Sequence, residues 1–204
     1  MDEIVAQSLK KWPNVPHCYG WLALDARGNW RMRDQQAQDQ NLPGDKIAHT
    51  ALIGFINRNY DCDAQGRWYF QNGPQRVYID LELTPYIAHT DPQHGFSLHT
   101  GSRLDRIDTV WFCDSGRLLL GFHDGHAQTV AALDDRDLAQ CLPALHIAGS
   151  PVDDAQLMAW MEGGSAPLAL HHRERSILVQ HLTQTDIAQH FNFVLRPQPD
   201  QNKR

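Results

Sequence analysis

The sequence predicts an α+β fold in which antiparallel β-hairpins and meanders pack on a few short helices. Short stretches of alternating apolar and polar residues, separated by Asp- and Gly-containing turns, indicate the hairpins. Apolar residues at helical spacing indicate the helices. No strand, glycine-rich loop and helix follow one another in the order of a Rossmann or P-loop site, so neither is predicted. The length of 204 residues fits one domain or two small ones.

Two helices are predicted in the first third of the chain. Ile4, Val5, Leu9 and Trp12 fall on one side of a helix over the first 12 residues. A second helix is predicted from Lys46 to Arg58, with the preceding Asp as its N-cap. The polar, Gln-rich residues 34–45 between them are expected to form a mobile loop.

Hairpin chemistry is clearest on either side of the turn Asp25–Gly28. The strand CYGWLALD precedes this turn and NWRMR follows it. Further on, VYIDLELT alternates strictly, with Val77 and Ile79 on one face and Tyr78 and Asp80 on the other. One face is expected to be core and the other hydrated, as in an antiparallel sheet.

The turn chemistry recurs along the chain. Residues 63–70 stand 38 positions after residues 25–32, and the two octapeptides share Asp, Ala, Gly and Trp. A shorter third copy begins at Asp114. Ordinary hairpin preferences explain Asp and Gly but not the Trp, so an internal structural repeat is left open. Trp30 and Trp68 are expected to be buried anchors beneath equivalent turns.

A domain boundary is predicted within residues 90–105, which are rich in Gly, Pro, Ser and His. The predicted organisation is an N-terminal α+β subdomain over residues 1–100, a C-terminal α+β subdomain over residues 101–195, and a flexible tail over residues 196–204. A meander of three strands is expected in the second subdomain, from TVWFCD through AQTVAAL.

Composition excludes several functional classes. The net charge of −6 provides no basic excess, so no nucleic-acid partner is predicted. No apolar run has the roughly 18–20 residues of a membrane-spanning helix, and no membrane partner is predicted. The first residues lack the pattern of a secretory signal, so a cytoplasmic location with reduced cysteines is expected.

Histidine is abundant, with 12 residues, which raises the question of a metal or proton-transfer site. The spacing of His89, His94 and His99 fits neither one helix face nor one strand face, and no H-E-x-x-H motif occurs. No metal ligand, cofactor or catalytic residue is therefore predicted. A His-dependent metal-binding enzyme remains the alternative function.

The candidate ligand-binding residues are aromatic, imidazole and guanidinium side chains. They are His17, Tyr19, Trp21, Arg31, Arg33, His89 and His94. The first three lie in one run of rare residue types, and the two arginines across the hairpin are suited to a carboxylate or phosphate. The alternative is a hairpin with one aromatic core face and one solvated arginine face.

The stretch from Asp25 to Ala88 resembles a family of small proteobacterial proteins of unknown function. The shared plan is a hairpin ending in Gly-x-Trp, a helix like IAHTALIGFINRNY, a second Asp…Gly-Arg-Trp-Tyr hairpin, and a strand ending in acid-x-x-Pro. The resemblance implies a two-domain α+β fold with repeated motifs and a link to signal transduction. It implies no catalytic residue, and the Gln-rich residues 34–45 depart from it.

These observations together predict a non-enzymatic binding or regulatory module. Its partner is expected to be a small molecule or a protein, and self-association into a homo-oligomer is left open.

Overall fold

The computed structural model describes residues 1–125 and 127–200 and divides the chain into two compact units. Unit 1 comprises Met1–Pro85 together with the C-terminal segment that begins at Asn192, and unit 2 comprises Tyr86–Phe191. Both units contain a sheet and short helices, so the α+β prediction is confirmed. The predicted subdomains of residues 1–100 and 101–195 stay a prediction, as does the flexibility of the tail, whose residues 201–204 lie outside the described residues.

Unit 1 contains a six-stranded sheet and three short helices among its described residues. The helices are α1 (Glu3–Lys11), α2 (Gln35–Asp39) and α3 (Thr50–Arg58). The strands are β1 (Cys18–Leu24), β2 (Trp30–Met32), β3 (Asp45–Lys46), β4 (Tyr60–Cys62), β5 (Trp68–Asn72) and β6 (Gln75–Leu81), and their order in the sheet is β3-β2-β1-β6-β5-β4.

The sheet of unit 1 is mixed, which corrects the expectation of an antiparallel sheet around VYIDLELT. β6 pairs antiparallel with β5 but parallel with β1, where Leu24 lies opposite Leu81. A parallel pair needs a long crossover connection. Here β2, α3 and the second hairpin provide it, so the two predicted hairpins form as expected but their junction is parallel.

The second helix begins later than predicted. Asp45 and Lys46 pair with β2 as a short edge strand, and the amide of Ile47 still donates to the carbonyl of Trp30 at 2.9 Å. The N-cap is His49, whose Nδ1 accepts a hydrogen bond of 3.1 Å from the amide of Leu52. Pairing with β2 satisfies the backbone of residues 45–47, so Asp45 is not the cap.

The predicted loop at residues 34–45 contains the short helix α2. The Asp34 carboxylate accepts a hydrogen bond of 2.8 Å from the amide of Ala37 and thereby caps α2. Ala37 is buried, and the guanidinium of Arg33 donates to the carbonyl of Leu42 at 3.1 Å. The polar composition of these residues predicted a loop. The Asp34 cap and the hydrogen bond from Arg33, which stabilise the helix, produce no hydrophobic periodicity in the sequence.

Trp30 and Trp68 are buried on the same side of the sheet, which confirms their predicted role as anchors. Their exposed fractions are 2% and 7%. Both indoles contact the ring of Tyr60, at centroid distances of 5.3 and 4.8 Å. The indole nitrogen of Trp30 also donates to the Asn57 side chain of α3 at 2.7 Å, which ties the sheet to the helix.

The turns that precede these two tryptophans have the same hydrogen bonds. The Asp25 carboxylate accepts from the amides of Arg27 and Asn29 at 3.0 and 2.8 Å. The Asp63 carboxylate accepts from the amides two and four residues further along, both at 3.0 Å. The glycines of the two turns have φ values of 79° and 75°, a conformation that only glycine adopts easily. Equal turns support the internal repeat, which stays a prediction.

Unit 2 contains a nine-stranded sheet among its described residues. Its strands are β7 (Tyr86–Asp91), β8 (Gly95–Leu98), β9 (Thr109–Cys113), β10 (Leu118–Asp124), β11 (Ala127–Leu133), β12 (Leu145–Ile147), β13 (Ser150–Pro151), β14 (Leu168–His172) and β15 (Arg175–Leu182), in the order β13-β12-β14-β15-β9-β10-β11-β7-β8. The predicted meander is confirmed, because β10 pairs antiparallel with both β9 and β11.

Three α-helices belong to unit 2, and they are short. They are α4 (Leu138–Cys141), α5 (Asp154–Met161) and α6 (Ile187–His190), with 3-10 turns at Asp135–Asp137, Leu142–Ala144 and Gln184–Asp186. Across residues 1–125 and 127–200, no helix is both long enough and apolar enough to span a membrane.

Candidate functional site

One face of the sheet of unit 1 carries a row of polar and tyrosine side chains. Tyr69 of β5 lies directly opposite Tyr78 of β6, and paired residues project to the same side of a sheet. Their neighbour Phe70 projects to the other side, where its ring contacts Phe55 of α3 at 5.3 Å. The two tyrosines therefore lie on the face opposite α3.

An open groove of about 960 Å³ lies on this face, and we call it the Arg–Tyr groove. The groove is lined by residues of β1, β6 and the second turn, and by the segments before β1 and at the C-terminus. Its lining comprises residues 13–17, 62–65 and 199–200 with Tyr19, Arg67, Arg76 and Tyr78.

The floor of the Arg–Tyr groove is aromatic. Tyr19 stacks on Tyr78 with a centroid distance of 4.7 Å and an interplanar angle of 10°. The ring of His17 meets Tyr78 edge-on at 5.7 Å, and Tyr69 contacts Tyr78 at 5.9 Å from the neighbouring strand. Tyr78 is 1% exposed, so the ring surface that remains available to a planar or ring-containing group belongs to Tyr19 and His17.

Two guanidinium groups lie on aromatic rings at this site. Arg67 is 4.8 Å from the ring centroid of Tyr78, and Arg76 is 4.3 Å from that of Tyr69. Stacking against a ring occupies one face of a guanidinium and leaves its planar N–H edge to form hydrogen bonds. The Arg67 edge donates to the Tyr78 hydroxyl at 3.3 Å and to two carboxylates.

The first of these carboxylates is Asp63, which orients Arg67. Nε of Arg67 donates to the Asp63 carboxylate at 2.8 Å, and the Tyr78 hydroxyl donates to it at 3.0 Å. Burial alone raises the pKa of Asp63, but the hydrogen bonds from Arg67, the turn amides and Tyr78 outweigh burial and lower it. Asp63 is therefore an ionised structural group and a weak base.

The second carboxylate comes from the C-terminal segment. One terminal nitrogen of Arg67 (Nη1) lies 2.8 Å from Oδ1 of Asp200, whose side chain is 49% exposed. The segment reaches this place along unit 1, because the amide of Val194 donates to the carbonyl of Gly66 at 2.9 Å. A carboxylate that is not part of the turn thus occupies the outer edge of Arg67.

The tyrosines and the cysteine at the groove are protonated at neutral pH. Burial raises the pKa of Tyr19 and of Tyr78 above the ordinary tyrosine value. Burial and the neighbouring Asp61 raise the pKa of Tyr69 to about 12. Burial, together with the adjacent aspartates, raises the pKa of the Cys62 thiol to about 12, so this cysteine is not a thiolate nucleophile.

A second, smaller pocket of about 210 Å³ lies on the same sheet and contains the predicted Arg31 and Arg33. Nε of Arg31 is 2.8 Å from the Asp25 carboxylate, and its terminal nitrogen donates to the carbonyl of Gly44 at 3.1 Å. Arg33 is buried and forms an ion pair with Asp80. The hydrogen bonds and ion pairs of both arginines are made within the protein, and they connect the first turn and residues 37–44 to the sheet.

The predicted candidates are thus brought together only in part. His17 and Tyr19 share the Arg–Tyr groove, while Trp21 lines neither pocket and is 43% exposed on β1. His89 and His94 belong to unit 2. The imidazole of His89 lies 3.5 Å from each of two aspartates of that unit, and the amide of His94 donates to the Asp91 carboxylate at 2.9 Å.

A metal centre is not found among residues 1–125 and 127–200. No group of three or more His, Cys, Asp or Glu side chains in this part of the chain is arranged to hold one ion. Several histidines instead contact aromatic rings or each other, as where the ring of His146 stacks on that of His171 at 3.8 Å. The described residues offer no geometry for the alternative of a His-dependent metal-binding enzyme.

The sequence interpretation named Tyr19 of the groove but missed Arg67, Arg76 and Tyr78. Arg67 and Tyr69 follow the second turn directly, and Tyr78 stands on the face of VYIDLELT that was expected to be hydrated; that expectation is wrong at Tyr78, which is 1% exposed because Tyr19 and Arg67 cover its ring. Their alternation places Tyr69 and Tyr78 away from the core residue Phe70, which is a usable signal. The parallel pairing of β1 with β6, which brings Tyr19 onto Tyr78, has no local signal.

Comparisons with known proteins show which family this chain of two α+β units belongs to. A family model described as "Protein of unknown function (DUF2946)" matches residues 1–198, and the chain belongs to that family. The predicted membership of a family of unknown function is therefore confirmed. Among solved structures, a DUF1285 family protein from Silicibacter pomeroyi DSS-3 is similar, with 12% identity, a TM-score of 0.45, and coverage of 88% of this chain and 96% of that chain. No curated protein matches.

Proposed function

We propose that the protein is a non-enzymatic binding module of a regulatory kind, and that it binds an anionic ligand in the Arg–Tyr groove. One observation carries the proposal. The Arg67 guanidinium is fixed by Asp63 and by the ring of Tyr78, and its outer edge already holds a carboxylate, that of Asp200. Guanidinium groups held in this way recognise carboxylate and phosphate groups with directed hydrogen bonds.

Charge complementarity supports an anionic ligand. The charged side chains of the lining are Arg67, Arg76, Asp63 and Asp200. Without the C-terminal Asp200, two positive and one negative charges remain, giving 2 − 1 = +1 in a chain of net charge −6. Such a local excess in an acidic protein favours an anion at this place over other parts of the surface.

The protonation states at the groove support binding over catalysis. A general base needs a pKa near the working pH, whereas hydrogen bonds lower the pKa of Asp63. A thiolate nucleophile needs a lowered pKa, whereas that of Cys62 is raised to about 12. The neutral hydroxyl of Tyr19 is suited to donate a hydrogen bond to a bound anion, whereas that of Tyr78 already donates to Asp63.

A titration followed by two-dimensional NMR tests the proposal. The probes are benzoate and phenyl phosphate, with benzyl alcohol as the uncharged analogue of matched shape. We expect saturable shifts of the Tyr19, Arg67 and Tyr78 signals with the two anions and none with the alcohol. Because a charge-assisted hydrogen bond is lost, Arg76→Gln should weaken binding about tenfold.

Arg58→Gln is the matched control, since Arg58 is an exposed arginine of α3 that pairs only with Asp2 among the contacts described for unit 1. Its affinity for benzoate should equal that of the unchanged protein. Equal shifts with benzyl alcohol, or no saturable shift with either anion, would refute the proposed function.

A further inference from the structure

We propose that the natural ligand of the Arg–Tyr groove is an extended protein segment in which a proline is directly followed by an acidic residue. Pro199 and Asp200 of the chain's own C-terminal segment lie in the groove in the manner of such a ligand. This inference rests on the proposed function and names the partner of that site.

The C-terminal segment is held in unit 1 by its backbone before it reaches the groove. The carbonyl of Leu195 accepts a hydrogen bond of 2.8 Å from the amide of Leu81, where β6 extends past its pairing with β5. The next residues, Arg-Pro-Gln-Pro-Asp at 196–200, form no helix or strand. Prolines at alternate positions restrict φ and favour the polyproline II conformation.

The groove has the features that proteins use to recognise such segments. Proline-rich peptides dock on surfaces made of aromatic rings, because the rings pack against the flat pyrrolidine groups and the restricted chain loses less conformational entropy on ordering. The partly exposed ring of Tyr19, which stacks on the buried Tyr78, provides that surface here, together with the exposed ring of His17. The acidic residue after the proline then reaches Arg67, as Asp200 does at 2.8 Å.

The contact made by Asp200 is of a kind that a partner can replace. Its side chain is about half exposed, whereas the Arg67 side chain is 13% exposed and the Asp63 side chain 8%. An ion pair to a half-exposed carboxylate contributes little to stability, because water and salt screen it. The inner pair of Arg67 with Asp63 stays in place when the outer carboxylate is exchanged.

Competition between the chain's own segment and a partner has a measurable consequence. A tethered segment competes at an effective concentration in the millimolar range, so it masks a partner of modest affinity. Removing the Asp200 carboxylate should unmask the groove, and a free peptide of the same sequence should then bind.

The experiment uses the full-length chain and a fluorescein-labelled, blocked peptide Arg-Pro-Gln-Pro-Asp, followed by fluorescence anisotropy. We expect Asp200→Ala to bind the peptide about threefold to fivefold more tightly than the unchanged protein. A peptide ending in Asn should bind Asp200→Ala more weakly by a similar factor. Glu174→Ala removes an exposed acidic residue from unit 2 and should behave as the unchanged protein.

Substituting Arg67 tests the recognition itself. Arg67→Lys in the Asp200→Ala background keeps a positive charge beside Asp63 but loses the planar fork, and should weaken peptide binding several-fold. The NMR spectrum of unit 1 reports whether this variant folds, and Arg76→Gln provides a second variant that leaves the turn unchanged.

The outcomes separate the two proposals. If benzoate binds and the peptide does not, a small carboxylate is the ligand, so the peptide inference is overturned and the proposed function stands. If the Asn peptide binds as tightly as the Asp peptide, the acidic residue is not recognised and the inference is overturned. If neither benzoate nor the peptide binds Asp200→Ala, both proposals fall.

Discussion

The Asp63→Asn substitution tests how the second turn holds the Arg–Tyr groove. An asparagine oxygen can still accept from the amides of Gln65 and Arg67, so the backbone of the turn is retained. The substitution removes the negative charge that pairs with Nε of Arg67 at 2.8 Å and accepts from the Tyr78 hydroxyl at 3.0 Å. The lost interactions are therefore those of the site, not those of the turn.

The magnitude follows from the burial of the pair. The Asp63 and Arg67 side chains are 8% and 13% exposed, so solvent screens their interaction only partly. A hydrogen bond to a charged group contributes about 1.5–3 kcal/mol, and we expect a loss of this size in the free energy of unfolding at pH 7. Asp25→Asn should lose a comparable amount, because Nε of Arg31 also lies 2.8 Å from its carboxylate.

The loss should depend on pH with a definite sign. The pKa of Asp63 in the folded protein lies below its ordinary value of 3.8, so the folded state favours the ionised carboxylate. Its contribution is complete above about pH 5 and is lost as the pH falls below 3.8 through the folded pKa. The stabilities of Asp63→Asn and the unchanged protein should therefore converge as the pH is lowered toward 3.

Urea unfolding at pH 7, 5 and 3, followed by tryptophan fluorescence, measures these differences. Asp114→Asn is the control, because Asp114 also lies in a turn but accepts only from the amide of Gln184 among the described contacts. A loss below 0.5 kcal/mol for Asp63→Asn at pH 7, or an equal loss at pH 7 and pH 3, would contradict this account of the turn.

Three further predictions concern the core, the turn glycine and the thiol. Trp30→Ala should lower the free energy of unfolding by about 3–5 kcal/mol, because the indole is 2% exposed. Trp12 is 52% exposed, so Trp12→Ala should change that free energy by less than about 0.5 kcal/mol. Equal losses for the two variants in urea unfolding would show that Trp30 is not an anchor of the core. Gly66→Ala should lower the free energy of unfolding more than Gly116→Ala. Both glycines have φ near 75–78°, but only at Gly66 would an added Cβ lie 2.2 Å from the carbonyl oxygen of Asn192. The difference in urea midpoint between the two variants measures this clash, and equal midpoints would show that there is none. Because its pKa is about 12, Cys62 should react with iodoacetamide at pH 8 about 100-fold more slowly in the folded than in the urea-unfolded chain, and equal rates by peptide mass spectrometry would contradict this.

Local chemistry allowed much of the fold of unit 1 to be predicted. Asp25 and Gly28 mark their turn by residue type, and alternation places Tyr78 and Ile79 on opposite faces of β6. Both signals arise within a few residues of chain, and both predictions are confirmed. The start of α3 was missed because β2 competes for Asp45 as an edge strand, which is a tertiary effect.

The groove could be predicted only in part because it depends on contacts distant in sequence. His17 and Tyr19 were singled out by their residue types, and both lie in it. Their partner Tyr78 is about 60 residues away, and Asp200 reaches Arg67 over a separation of 133 residues. Neither contact produces a periodicity or a motif, so the sequence paired Tyr19 with the nearby Arg31 and Arg33 instead.

The two equivalent turns border pockets of different size, about 960 Å³ at the second turn and about 210 Å³ at the first. In both, Nε of an arginine lies 2.8 Å from the turn carboxylate, but the arginine comes from different positions. Arg31 stands six residues after Asp25, within β2, and one of its terminal nitrogens donates to the carbonyl of Gly44. Arg67 stands four residues after Asp63, before β5; its guanidinium lies on the ring of Tyr78 and its outer edge donates to the carboxylate of Asp200. Because the turn geometry is the same, the placement of one arginine and the presence of Tyr78 on the adjacent strand distinguish the proposed binding site from the ion pair at the first turn.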